Sequence, residues 1–168
     1  DAKWPDAQMG FEKGVTVTAA ALAGADVSEA CGMMASLMGC SFEAMVIDND
    51  MLGMIQRMVK GVEVSDETLS FEVIKEVTRG PGHYLGHPQT LSLMETEFLY
   101  PKLADRTSPG EWQDAGSTDI LEAAGARVRE ILSTHYPTYI DPATDAKIRE
   151  RFEIHLPEEA MHPGNGRW

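Results

Sequence analysis

Two imidazoles and a phenol lie close together in this chain, at His83, Tyr84 and His87. They belong to Gly80-Pro81-Gly82-His83-Tyr84-Leu85-Gly86-His87-Pro88, its most singular stretch. Three glycines and two prolines within nine residues dictate a bent backbone with special dihedrals. Such a loop either connects two helices or carries its imidazoles and tyrosine to a pocket. On one helix, the four-residue spacing of His83 and His87 would put both rings on the same face, as a zinc site needs. Pro88 argues against that, because a proline there opens a helix and leaves His83 ahead of it. No third ligand stands at a diagnostic spacing. The loop is neither a Walker loop nor a dinucleotide fingerprint, since the Gly-Lys-Ser/Thr and G-x-G-x-x-G spacings are absent. The carboxylates Asp1, Asp6, Glu12, Asp48 and Asp50 show no spacing that assigns acid and base roles. Asp48-Asn49-Asp50 resembles part of a calcium loop without its glycine and terminal glutamate. It falls inside a helical pattern and reads as a solvated face. There is no G-x-S-x-G, and no cysteine pairs with a histidine.

Composition narrows the classes of partner. The chain has 168 residues, with 14 Lys and Arg against 27 Asp and Glu, for a net charge of −13. No Lys/Arg stripe is available for a phosphate backbone, so nucleic acid is excluded as a partner. An anionic membrane surface is excluded for the same reason. No apolar run approaches the ~20 residues of a membrane span, and no signal peptide is visible. Cys31 and Cys40 are too few for a disulfide framework, which points to a reducing, cytoplasmic compartment. A hydrophobic content of 43% is enough to bury a core, and the length suits one domain or one with an appendage. The sequence opens at Asp1 on a helix entry with no preceding element, which raises the expectation of a C-terminal part of something longer.

Helical periodicity must position these groups. Pro5 suits a first helical position, with Phe11, Val15, Thr18 and Leu22 as the inward stripe and Gly24 as the stop. Asp26 to Ala30 reads as a short strand entering a Gly/Met loop at Gly32 and Gly39. Ser41 caps a helix with two apolar stripes, Met45, Leu52, Ile55, Val59 and Ile47, Met51, Met54, Met58, so it is contacted on more than one side. Its polar line is Asn49, Gly53, Gln56 and Lys60, and Gly61 ends it. Ser65 caps a third helix that buries Leu69, Val73, Ile74 and Val77 and runs to Gly80. Pro88 opens another, bearing Leu91, Met94 and Phe98. Ser108 to Gly116 is a short helix holding Trp112, and Ser117 or Thr118 starts the next, with Leu121, Ala124, Val128 and Ile131 inward. Asp141-Pro142 opens the last, with Ile148 and Phe152, and the tail from Pro163 to Gly166 frays. Eight of the ten methionines precede residue 60. They are core filler by default, or a surface for a large apolar partner or cofactor.

Several stretches resemble signatures of the trimethylamine methyltransferase family. They are Asp1-Ala2-Lys3-x-Pro5-Asp6-Ala7-Gln8-x-Gly10-Phe11-Glu12-Lys13, Leu22 to Asp26, Gly80 to Thr90, and Tyr100 to Arg106 with Trp112. The resemblance runs from Asp1 to about Asp141 and covers the C-terminal third or so of a typical member. It implies an eight-stranded α/β barrel that moves a methyl group from a methylated amine to the cobalt of a separate corrinoid protein. The amine would be trimethylamine or a quaternary amine such as glycine betaine. Some members carry pyrrolysine, and this chain has none.

A closed barrel of that kind needs roughly 250 residues. The expectation is therefore a mainly α object with one or two short strands, the C-terminal fragment of such a barrel. Residues 1–107 would be barrel and 108–168 a helical extension. No cofactor is bound directly, and the corrinoid sits on the partner. The missing barrel half leaves an apolar face exposed, which makes the chain a homo-oligomer. Barrel active sites lie at the C-terminal ends of the strands, and the loop from Gly82 to His87 is the first candidate for that rim, with the entry to the first helix second. His83, His87 and Asp6 are the candidate catalytic groups and Tyr84, Asp1 and Gln8 the candidate substrate contacts, with Tyr84 as the cation contact. The alternatives are a helical interaction domain with no chemistry of its own, and a small metal-binding module.

Overall fold

The structure, a computed structural model, describes residues 1–164. Most of them are helical, with one two-stranded hairpin. Helix α1, Ala7–Leu22, starts where the Asp6 carboxylate accepts the N–H groups of Gln8 and Met9 at 2.9 and 3.3 Å. Asp6 is thus the cap, and Pro5 lies one residue before it rather than inside the first turn. Strands β1, Met33–Met34, and β2, Gly39–Cys40, pair antiparallel with Met33 opposite Cys40. The strand expected over Asp26 to Ala30 does not form. That stretch lies one turn upstream of the pairing residues and is mostly exposed.

Helix α2, Phe42–Lys60, is capped by Ser41, whose hydroxyl accepts the Ala44 N–H at 3.1 Å. It packs against both α1 and the later helix spanning Ile120–Thr134, as its two apolar stripes require. The expected third helix is broken in two. Ser70 sits in the left-handed region at φ 52° and separates α3, Asp66–Leu69, from α4, Phe71–Arg79. Of its expected inward face only Val77 is fully buried, while Leu69 and Ile74 are exposed. Helix α5, Pro88–Thr96, and helix α6, Pro109–Asp114, both begin with proline. Leu91, Met94 and Phe98 nevertheless face solvent.

Helix α7, Ile120–Thr134, is capped by Asp119 and not by Ser117 or Thr118. It buries Ala124 and Val128, with Leu121 and Ile131 partly covered. Helix α8, Pro142–Arg151, is capped by Asp141, and Phe152 beyond it is exposed. The tail expectation falls partly on Asn165 and Gly166, outside the described residues. The core is small. Ala2, Met9, Met34 and Ala44 form one cluster with Ile47 packed on it. The α1 stripe is the largest departure from expectation. Met9 and Val17 are its buried residues, whereas Phe11, Val15 and Leu22 face outward.

Candidate functional site

The loop after α4 is built by capping. Val77 O accepts the Gly82 N–H at 2.9 Å and the Gly80 N–H at 3.3 Å, which closes the helix. A turn follows in which the His87 N–H donates to Tyr84 O at 3.0 Å. His87 then caps α5, its Nδ1 accepting the Gln89 N–H at 3.1 Å. Its Nε2 lies 3.8 Å from Glu76 Oε2. His83 and His87 both line a cleft of about 260 Å³, together with Glu76, Val77, Pro81 and Gly86. The loop therefore does gather its two imidazoles. Tyr84 does not line that cleft, and its ring is half exposed. Among the described residues, the side chains of His83 and Tyr84 have no hydrogen-bond or ion-pair partner. Glu76 was not singled out in the sequence, because a glutamate in the last turns of a helix looks like any solvated one.

The N-terminal group is fastened elsewhere. Asp1 Oδ2 accepts the Ser36 N–H at 2.9 Å, and Ala2 O accepts the Ala35 N–H at 2.9 Å. Residues 35–37 are all left-handed, at φ 50, 55 and 68°, a conformation that costs about 1–2 kcal/mol per non-glycine residue. Asp1 and Ala2 thus satisfy the donors of a strained turn. Gln8 donates to Glu12 Oε1 at 2.7 Å, and Glu12 Oε2 accepts the Ala2 N–H at 2.9 Å. These bonds, Gln8 first and Ala2 second, hold the Glu12 carboxyl below its usual range. Asp1 and Glu12 share a cleft of about 350 Å³, but Asp6 and Gln8 do not line it. Neither of these two clefts joins this group to the His83–His87 loop.

Two aspartates read as a solvated face are structural instead. Asp48 is 1% exposed and forms an ion pair with Lys13. Its Oδ2 also accepts the Gly32 N–H at 2.8 Å, and Lys13 donates to Ala30 O at 3.0 Å. Gly32 has φ 73°, and a Cβ there would stand 3.1 Å from Cys40 Sγ and Met45 Cβ. Only glycine lets the backbone approach Asp48 this way. Burial, then the nearby Asp48 charge, pushes the Cys31 thiol up against the opposing pull of Lys13, which disfavours a nucleophilic thiolate there. Asp50 anchors the 100–106 segment. Its two oxygens accept the N–H groups of Lys102, Leu103 and Ala104 at 2.9 to 3.1 Å. Burial pushes its carboxyl up, but the three amides and Arg106 outweigh that and leave it below the ordinary range.

A broader groove of about 780 Å³ opens between the N-terminal segment, the hairpin and α7. Trp4, Phe42, Glu43, Glu122, Lys3 and Arg129 are among its lining. Aromatic faces beside carboxylates attract an organic cation, and the two basic groups suit an anionic end. No spacing in the sequence could have revealed it, because its parts come from residues far apart in the chain. Among the described residues, no three His, Cys, Asp or Glu side chains are grouped to hold a metal ion. No described helix is long and apolar enough to cross a membrane.

Comparison with known proteins follows the motifs. A family profile described as trimethylamine methyltransferase (MTTB) matches residues 1–155. The trimethylamine methyltransferase MttB of Methanosarcina thermophila is 40% identical over 141 residues, 84% of this chain and 29% of that protein. The glycine betaine methyltransferase of Desulfitobacterium hafniense strain Y51 is 33% identical over 150 residues, 89% of this chain and 31% of that protein. A trimethylamine methyltransferase MttB of D. hafniense strain DCB-2 is 33% identical over 153 residues, 91% and 30% respectively. The chain spans less than a third of the length of these curated relatives.

Proposed function

This chain belongs to the trimethylamine methyltransferase family, and on that footing we propose that it is part of an enzyme that moves a methyl group from a methylated amine to a corrinoid protein. The observation that carries the reading is the family match over residues 1–155, with relatives named for trimethylamine and for glycine betaine. The chain would be the C-terminal part of an eight-stranded α/β barrel, with residues 1–107 in the barrel and 108–168 an extension, and the enzyme would work in the cytoplasm. By itself it would be inactive. The reduced corrinoid, carried by the partner, supplies the nucleophile. The C–N electron pair leaves with nitrogen, so a quaternary amine needs no proton moved.

The protein's task is then to hold a cation, aim its methyl and exclude water. Two places offer aromatic faces to that cation. One is Tyr84 in the His83–His87 loop, where exposure of Tyr84 and Leu85 suits approach by a large partner. The other is the groove of Trp4 and Phe42. His83, whose imidazole has no partner among the described residues and which lines the loop's cleft, would orient a substrate polar group. His87 and Asp6 keep their candidacy beside established capping roles, and Asp1 and Gln8 beside their hydrogen bonds to Ser36 and Glu12. Self-association of the chain would use the exposed Phe71, Leu91 and Phe98, and light scattering at high concentration reads it.

The test is a family-length protein in which this chain replaces the matched part of the D. hafniense strain Y51 relative. It is assayed with a reduced corrinoid protein and a panel of methylated amines. Loss of one cation–π contact costs roughly 0.5–2 kcal/mol, or about 2- to 30-fold in methyl transfer. Tyr84→Ala should show that loss, with Trp4→Ala reporting on the groove in the same assay. A folded, assembled protein that transfers no methyl from any amine refutes the reading.

A further inference from the structure

Asp6, Ser41, Ser65, Ser108, Asp119 and Asp141 each cap a helix of this chain through a side-chain oxygen. A carboxylate or hydroxyl oxygen goes on accepting a backbone N–H throughout the range around neutral pH. Helix α5 differs. Its cap is the His87 ring, whose Nδ1 accepts the Gln89 N–H at 3.1 Å. A ring nitrogen accepts only through its lone pair, so this cap exists only in the neutral imidazole that carries its hydrogen on Nε2. A second proton goes onto Nδ1. It turns the acceptor into a donor facing another donor and leaves the Gln89 N–H without its partner. The side chain is 14% exposed, so little water reaches the ring to replace the lost bond.

The groups around the ring act on that proton in different senses. From α4, Glu76 Oε2 lies 3.8 Å from Nε2. Its carboxylate attracts an imidazolium but cannot repair the cap, because it faces the nitrogen that carries hydrogen in both states. From the loop, His83 lines the same cleft and, when charged, repels a second positive ring. From α5 come Pro88 and Gln89, which do not titrate, and the positive end of the helix, which opposes the proton. The capped loop thus has no place for the second proton and the released loop does, so a fall in pH favours release. With an ordinary imidazole midpoint of about 6.5, the ratio of released to capped loop rises about tenfold from pH 7.5 to pH 5.5. The same residue holds the turn on either side. Its N–H donates to Tyr84 O at 3.0 Å and its carbonyl accepts the Leu91 N–H at 3.1 Å. Tyr84 and Leu85 are exposed at the tip of that turn. We propose that His87 is a proton-operated latch: neutral, it locks the Gly82–His87 loop onto α5, and protonated, it opens the first turn of α5 and frees Tyr84 and Leu85. The latch is a property of this chain and is independent of methyl transfer.

Nuclear magnetic resonance of the 168-residue chain between pH 7.5 and pH 5.5 tests it. The ring nitrogens of His87 report the tautomer and the charge. The Cα shifts of Pro88 to Leu91 report the first turn of α5, and those of Ile120 to Ala123 report the first turn of α7, whose cap is the Asp119 carboxylate. Expected at pH 7.5 is the Nε2–H tautomer with a helical α5 turn. As the pH falls, the α5 turn should lose helical shift in step with protonation of the ring, while the α7 turn keeps its own. His87→Asn retains a capping oxygen and should stay helical at α5 over the whole range. Glu76→Gln should need a lower pH for the same loss, because the carboxylate that attracts the imidazolium is gone. An Nδ1–H tautomer at pH 7.5 overturns the proposal, and so does an α5 turn still helical at pH 5.5. Both are read on the unaltered chain and need no variant to fold. The same loss in His87→Asn also overturns it, as does loss of the α7 turn in the same step, which is general acid unfolding and not a latch.

Discussion

Replacing Lys13 by methionine should destabilise the protein more than any other single charge removal on α1. The replacement is close in length and leaves the Asp48 carboxylate, 1% exposed, with no cation beside it. The Gly32 N–H would be its remaining partner. Breaking a buried pair from one side costs about 3–5 kcal/mol, because an uncompensated charge stays in a low-dielectric site. At about 2–4 °C per kcal/mol for a domain of this size, the melting temperature should drop by roughly 6–20 °C. Asp48→Asn should cost less, about 1–3 kcal/mol. Its side-chain oxygen still accepts from Gly32, and Lys13, 14% exposed, can turn toward water. The double variant Lys13→Met/Asp48→Asn buries no charge and should be more stable than Lys13→Met alone, with a coupling energy of about 2 kcal/mol or more. Urea midpoints at constant slope measure all three. High salt should change the result little, since it screens buried pairs weakly. A loss below about 1 kcal/mol for Lys13→Met, or strictly additive variants, would refute the claim that this pair ties α1 to the hairpin and α2.

Two further outcomes follow from the capping geometry. Asp50 has a folded-state carboxyl below its ordinary value of 3.8. Its contribution is therefore complete above the ordinary value and is lost as pH falls through the lowered one. Asp50→Asn should cost about 1–2 kcal/mol at neutral pH and flatten the acid limb of stability. Urea midpoints across pH 7 to pH 3 read this, and an unchanged limb would count against the anchor. At His87, alanine removes the cap on α5 and should lower stability by about 0.5–2 kcal/mol, whereas asparagine keeps a capping oxygen and should restore it. Methyl transfer that also recovers in His87→Asn would make His87 a cap only, and activity lost in both variants with stability restored would make it catalytic.

Local signals in the chain carried as far as the elements and no further. Ser41, Ser65, Ser108 and Asp141 each stand where a helix begins, because a short polar side chain capping a free N–H is a local event. The misread boundaries have local causes too. Three candidates, Ser117, Thr118 and Asp119, compete to start α7, and Asp119 wins by forming a capping box with Glu122. The break at Ser70 has no signature in composition, since no glycine or proline marks it. The two aspartates of the expected solvated face depart for a different reason. Asp48 and Asp50 look alike on a helix pattern, yet one meets Lys13 and Gly32 and the other meets residues 102–104, and those partners lie 16 to 54 positions away. The groove of Trp4, Phe42 and Arg129 is invisible for the same reason.

The α1 stripe shows where the two kinds of information separate. Phe11, Val15 and Leu22 do recur with helical spacing, and that spacing correctly says they share a face. Burial of the face depends on a partner, and the partner available within this chain, α2, takes the other side, where Met9, Lys13 and Val17 lie. It takes that side because the Lys13–Asp48 pair and the Ala2–Met9–Met34–Ala44 cluster are both satisfied there. Turning the helix to hide Phe11 would expose Met9 and strand Asp48. The buried ion pair therefore selects the orientation, and the leftover apolar stripe is its consequence. A Lys13→Met/Asp48→Asn chain loses that constraint, so in it Val15→Cys should label more slowly than in the parent chain. Unchanged labelling would mean that the apolar cluster alone sets how α1 sits.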